Sequence, residues 1–142
     1  MVNVSNLIKD RTFNLNKRFN ISKNHIVSVL NGDLLYLDGK WKLTPPERDR
    51  MRTTVLPHIY DPDATAPVFM QFLDDIFYGD ADAHEKANLL LQHIGYALQT
   101  HCDLERFAIY VGTGGNGKSI LLYTLKDLIG IENVAAVQPH ML

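Results

Sequence analysis

The spacing of hydrophobic and polar positions changes several times along the chain, and each change predicts a different element. Residues 25–30 (His-Ile-Val-Ser-Val-Leu) and 33–37 (Asp-Leu-Leu-Tyr-Leu) are short apolar, β-branched or aromatic runs of strand type. Asn31-Gly32 between them is the residue pair of a type I′ hairpin turn. Asp38-Gly39 predicts a second turn, and Lys40-Trp41-Lys42-Leu43 a third short strand, so a small meander is expected. Thr44-Pro45-Pro46 ends it, because proline cannot donate to a ladder. Residues 53–56 (Thr-Thr-Val-Leu) read as one more strand, and Tyr60-Asp61-Pro62-Asp63 as a turn cluster and a boundary.

The period then shifts to that of helices. From residue 67 to 78, Phe69, Phe72, Leu73, Ile76 and Phe77 share one face. Asp82 and Glu85 have capping-box spacing ahead of a second helix running to about residue 100, expected to bury Leu89, Leu90, His93, Ile94, Ala97 and Leu98. Residues 107–111 (Phe-Ala-Ile-Tyr-Val) return to a strand composition. Residues 120–129 are helical again, with Gly130 where a helix C-cap belongs. Residues 1–22 are polar and asparagine-rich, with weak alternation through Phe13, Leu15 and Phe19, and suit a terminal segment whose order depends on what precedes it.

Between that last strand and helix lies Gly112-Thr113-Gly114-Gly115-Asn116-Gly117-Lys118-Ser119, which fits the phosphate-loop pattern G-x-x-x-x-G-K-[ST]. Glycines let backbone N–H groups close on phosphate oxygens with no Cβ in the way. Lys118 brings a point charge for the β- and γ-phosphates, and the Ser119 hydroxyl suits Mg²⁺. A glycine-rich surface turn is the bland alternative, and the strand–loop–helix order argues against it. Such NTPases also need a second strand ending in a carboxylate, and only 23 residues follow Ser119. Asp127 lies within the following helix and Glu132 comes too soon after it. The chain is therefore expected to be a piece of a longer protein, inactive as an ATPase by itself, and to fray or self-associate beyond about residue 104.

Composition narrows the rest. An apolar content of 46% with 21% charged residues is that of a globular chain. No apolar run approaches the length of a membrane span, and the N-terminus lacks a signal-peptide shape. A cytoplasmic protein is expected, with the sequons at Asn3 and Asn20 accidental. Cys102 is the single cysteine, more in keeping with a half-buried apolar residue than a nucleophile. His25, His58, His84, His93, His101 and His140 include no pair at i, i+4, so no metal role is assigned to them; Asp74-Asp75 is expected to face water. Net charge is −2, but residues 1–52 hold ten Lys/Arg (Lys9, Arg11, Lys17, Arg18 and Lys23 among them) against five acids. Arg48, Arg50 and Arg52 form the densest group and are the candidate DNA contacts; an ordinary solvated surface explains the excess equally well. Trp41 beside Lys40 and Lys42 has the form of a base-stacking residue, though an edge tryptophan packed on its sheet is the commoner arrangement.

Residues from about 30 to 142 resemble the replicative primase-helicases of phages and plasmids, members of helicase superfamily 3. Asn31-Gly32-Asp33-Leu34, Tyr60-Asp61-Pro62-Asp63-Ala64 with Phe72-Leu73-Asp74-Asp75-Ile76, and Ile94-Gly95-Tyr96-Ala97-Leu98 followed by the glycine loop carry the resemblance. It implies an ATP-driven DNA helicase that forms a homo-oligomeric, usually hexameric ring, with phosphate contact by residues 112–119 and a Mg²⁺ ligand at Ser119. The Walker B carboxylates, sensor asparagine, arginine finger and a primase centre have no counterpart here, and residues 1–29 carry no motif that can be named. The expected fold class is α+β: a mixed module over 1–60, a helical pre-motor domain over 61–103, and the start of an α/β P-loop NTPase over 104–142. Two alternatives stand beside this: a remnant or stand-alone DNA- or protein-binding adaptor with a non-catalytic loop, or a different P-loop NTPase.

Overall fold

The strand-type runs within residues 26–44 form a three-stranded antiparallel sheet, β1 (Ile26–Val29), β2 (Gly32–Leu37) and β3 (Lys40–Thr44), in the order β1-β2-β3. This computed structural model describes residues 25–101 and 103–136. Expectations for residues 1–22, the basic residues up to Lys23, both sequons, Cys102 and His140 lie outside the described residues. The described chain is mixed α+β, the sheet being followed by three α-helices: α1 (Pro67–Ile76), α2 (Ala83–Ala97) and α3 (Lys118–Ile129).

The meander is as expected, but its first turn is displaced by one residue. Val29 pairs with Gly32, so Leu30 and Asn31 make the turn and Gly32 opens β2. Neither turn residue has a positive φ, so this is not the type I′ turn the sequence suggested. The Asn31 side chain is occupied elsewhere: it donates to the Tyr60 carbonyl and accepts from the Tyr60 amide, both at 2.9 Å. Gly32 answers a different requirement, since a Cβ there would stand 2.4 Å from the Thr44 carbonyl oxygen of β3. The second turn is of the expected kind, with φ of 53° at Asp38 and 78° at Gly39.

Two expected strands do not form. Residues 53–56 contribute a single parallel bridge, Val29 to Leu56. The Leu56 amide donates to the Ser28 carbonyl at 2.8 Å and the Leu30 amide to the His58 carbonyl at 2.9 Å. On the other side of this strap, His58 Nε2 meets the Asp127 carbonyl at 3.0 Å and Asn133 Nδ2 donates to the Val55 carbonyl at 3.0 Å. Residues 107–111 also stay out of any sheet, and Phe107, Ile109 and Val111 are exposed. Strand composition without a neighbouring strand leaves the backbone nothing to pair with.

The helical periodicity holds better. Leu73 of α1, Leu90 and Ile94 of α2 and Leu121 of α3 form one buried cluster, walled by Phe69, Phe72, Ile76 and Tyr110. Each fully buried leucine contributes about 1.5–3 kcal/mol of burial free energy. Leu121 at 4% exposure ties α3 into the core of α1 and α2. Val27, Leu34 and Leu56 form a second cluster under the sheet, joined by Tyr60 and by Leu98 just past α2. Leu89 is 68% exposed, against expectation, because it lies about 100° round α2 from the Leu90–Ile94 line; Ala97 lies on that line but is the last residue of the helix, and it too is exposed. The Asp82–Glu85 capping box is absent: Asp82 makes no side-chain cap bond and instead pairs with Lys86 at 2.8 Å, which also holds Asp80 at 2.7 Å. That hydrogen bond to Lys86 holds the Asp82 carboxyl below its ordinary range, and the two aspartates raise Lys86. Gly130 caps α3 as expected, with φ 87° and its amide on the Lys126 carbonyl at 2.9 Å. Among the described residues no helix is long and apolar enough to cross a membrane.

Candidate functional site

The glycine loop runs directly into α3. Gly114, Gly115 and Gly117 have φ of 107°, 63° and 79°, conformations that residues with a Cβ avoid. Gly117 is the N-cap of α3 and offers no side chain to satisfy the helix's first amides. The helix thus opens with unsatisfied N–H groups and a partial positive charge. Gly117 is also pressed onto α1, where a Cβ would lie 2.8 Å from Ile76 Cγ2 and 3.0 Å from the Phe72 ring. The core therefore positions the loop.

Lys118 folds back over it. Its Nζ donates to Asn116 Oδ1. A Cβ on Gly112 would fall 1.9 Å from Asn116 Nδ2 and 3.0 Å from Lys118 Nζ, so the start and end of the loop are in contact. Thr113 and Ser119 are exposed. A backbone cradle of left-handed glycines, one inward-turned ammonium and an open hydroxyl is a donor set that suits a polyphosphate and its Mg²⁺. Nearby, Tyr110 packs edge-on against His93 at 6.1 Å, and its hydroxyl is buried without a hydrogen-bond partner. That burial pushes its pKa up.

The three arginines part company. Arg48 lies exposed in the 3-10 turn Arg48–Arg50. Arg50 turns inward: Nη1 sits 2.6 Å from Asp33 Oδ2, 3.0 Å from the Pro45 carbonyl and 3.2 Å from Thr44 Oγ1, and Nη2 is 2.8 Å from Glu47. Asp33 is 3% exposed and also accepts from Ser28 Oγ at 2.7 Å. Arg52 donates from Nη1 to Thr100 Oγ1 at 2.5 Å, while its Nε and Nη2 are buried without a partner. Desolvation lowers the Arg52 pKa, partly countered by Asp33. Spacing at 48, 50 and 52 carried no signal for which arginine is solvated. Trp41 packs against its cross-strand partner Tyr36 at 5.3 Å and remains 43% exposed.

Sequence spacing missed one cluster. His25, at the start of β1, meets Gln99 and His101, just past α2, more than seventy positions away. Only folding brings these residues together.

A family model described as D5 N terminal like matches residues 1–78, more than half of the chain. The chain belongs to that family, a domain found in phage and plasmid primase-helicase proteins. The match takes in residues 1–29, for which the sequence motifs offered no relation, as well as the sheet, the strap, the three arginines and α1, and stops short of the glycine loop. No curated protein and no solved structure matches the chain.

Proposed function

We propose that this chain serves an ATP-dependent replicative DNA helicase of the primase-helicase type, and that residues 112–119 hold the phosphates of ATP. In this reading Lys118 neutralises the β- and γ-phosphates and Ser119 ligates Mg²⁺. The observation that carries it is the glycine loop itself: left-handed at three glycines, buttressed by Phe72 and Ile76, and opening on an uncapped helix, in a member of the D5 N terminal like family. Bound Mg²⁺–ATP would supply the phosphoryl chemistry, while the residues present bind and orient it. Superfamily 3 membership, a homo-oligomeric ring and a cytoplasmic setting in a host cell belong to the same proposal. So does DNA as partner, with Arg48 its first contact, because Arg50 and Arg52 spend their guanidinium groups inside the fold.

Titration of the full chain with a fluorescent ATP analogue tests the reading. Binding should need Mg²⁺ for full affinity, fall at least tenfold in Lys118→Ala, and lose much of its Mg²⁺ dependence in Ser119→Ala. Affinity that is unchanged in Lys118→Ala, or absent at millimolar nucleotide, removes the phosphate site. The adaptor reading draws on residues 107–111, which stay outside the sheet. Nucleotide binding with no turnover in a longer gene product would favour it.

A further inference from the structure

Three rings form a row across one face of the sheet. His25 stands just ahead of β1, Tyr36 on β2 and Trp41 on β3; the Tyr36 ring lies 6.4 Å from His25 and 5.3 Å from its cross-strand partner Trp41. Leu34, two residues before Tyr36, shares this face with its partner Val27, and Leu98 just past α2 covers both. That cover stops short of the rings, for Tyr36 and Trp41 are each 43% exposed. A tryptophan that serves only to pack a core is buried more deeply on average.

On the other side, Gln92, Gly95 and Gln99 follow one another at helical spacing along α2 and the turn after it. Glycine inside a helix is costly, and close packing does not account for this one: nothing described lies within 4 Å of where a Cβ on Gly95 would be. The missing side chain leaves space. Cavities of about 420 and 440 Å³ meet here, and Trp41 and Gly95 line both. The Gln99 carboxamide oxygen faces His25 Nδ1 at 2.7 Å, which leaves its N–H₂ group for the cavity. Gln92 makes no side-chain hydrogen bond among the described residues. The space is thus apolar along its broad sides and edged by carboxamides, which both donate and accept.

An unpaired nucleobase has the matching chemistry. Its π faces stack on an aromatic side chain whatever the base, and its polar rim pairs with amides. A duplex keeps those faces inside its own stack, so the fit is to a single strand. Lys40 and Lys42, both exposed, flank Trp41 on the edge strand β3 and bring positive charge for the phosphates, although Lys42 shares its charge with Asp38 at 3.5 Å. We infer that Trp41, with Tyr36 beside it and Gly95 facing it, forms a stacking slot for one unpaired base of single-stranded DNA, whose edge Gln92 and Gln99 contact. This slot rests on the proposed DNA partner and lies apart from Arg48, which lines a separate cavity with Asp33.

Trp41 is the single tryptophan, so its emission reports on the slot directly. Titrating the full chain with a short thymidine oligonucleotide should quench that emission in step with binding seen by anisotropy. A duplex of equal length, and an abasic strand with as many phosphates, should bind without quenching. Trp41→Ala should weaken single-strand binding about tenfold, and Trp41→Phe should keep most of it. Gly95→Leu puts a better helix former where the slot opens, so it should weaken binding as much while the melting temperature holds or rises. Affinity should still fall with salt, because phosphate contacts carry the rest. Binding that leaves Trp41 emission unchanged, or that is unaltered in both Trp41→Ala and Gly95→Leu, would overturn the slot and leave DNA as partner standing. Quenching by free thymidine as strong as by the oligonucleotide would make the occupant a free nucleoside and overturn the single-strand assignment. No binding of single-stranded DNA at low salt would remove the slot and the DNA reading together.

Discussion

Removing the Arg50 guanidinium should cost the fold far more than it costs any ligand. Its partner Asp33 has a side chain 4% exposed, and Arg50 itself is 13% exposed. In Arg50→Ala the Asp33 carboxylate keeps the Ser28 hydroxyl and the charge of Arg52, which does not hydrogen-bond to it, and loses its directly bonded counter-charge. Thr44 and the Pro45 carbonyl lose the same donor. Stripping one partner from a buried ion pair typically costs about 3–5 kcal/mol, because the survivor stays desolvated and uncompensated. For a chain of this length each kcal/mol shifts the melting temperature by about 4 °C, so a fall of roughly 10–20 °C is expected. Asp33→Ala should be costly for the same reason. The double variant Asp33→Ala/Arg50→Ala should lose less than the sum of the two by more than about 1 kcal/mol, since neither charge is then left alone. Urea unfolding followed through Trp41, the single tryptophan, gives all three values. A loss under about 1 kcal/mol in Arg50→Ala, or strict additivity, would refute the account of a buried, mutually dependent pair. The folded Arg50→Ala variant should also bind DNA as well as the unaltered chain does, since that guanidinium does not face solvent.

Other outcomes follow from the same geometry. Gly117→Ala should destabilise by about 2–4 kcal/mol and weaken nucleotide binding, because a Cβ is strained at φ 79° and strikes Ile76 and Phe72; an unchanged melting temperature would contradict this. DNA binding should be weak, fall steeply with salt, and drop further in Arg48→Ala; binding that persists at high salt in fluorescence anisotropy would rule out an electrostatic origin. Burial raises the Tyr110 pKa, so this residue's contribution to stability is complete below the ordinary tyrosine value near 10 and fades as pH rises through the raised one. An ultraviolet titration should therefore show one late-ionising tyrosine that disappears in Tyr110→Phe.

The parts of this fold that were legible in the sequence are those whose partners are near in the chain. Short apolar runs set off by turn pairs marked the β1–β2–β3 meander, and the i, i+3, i+4 runs marked α1, α2 and α3. Elements needing distant partners were misjudged. Residues 107–111 have strand composition and no ladder, and residues 53–56 touch β1 at one bridge. Asn31-Gly32 looked like a turn pair, yet Asn31 clamps the Tyr60 backbone and Gly32 makes room for β3. At the glycine loop, local chemistry gave a pattern but not the support of Gly117 by α1. Three arginines at alternate positions could not be sorted into buried and solvated without Asp33. The His25–Gln99–His101 triangle was invisible to any short spacing rule.

Residues 55–58 place the sheet and α3 in mechanical series. This strap has no partner strand along its length, yet β1 and Leu30 just after it grip it through the Leu56 amide and the His58 carbonyl, and the far end of α3 grips it through the His58 ring, with Asn133 just beyond the helix holding Val55. A helix is stiff along its axis, and α3 carries the glycine loop at one end and the strap at the other, about 18 Å apart. Axial load applied at Lys118 is therefore delivered to the edge of β1 through a handful of hydrogen bonds. The Leu56 amide sits at that junction like a strain gauge, and its exchange with deuterated solvent would register tension arising at the opposite end of the helix.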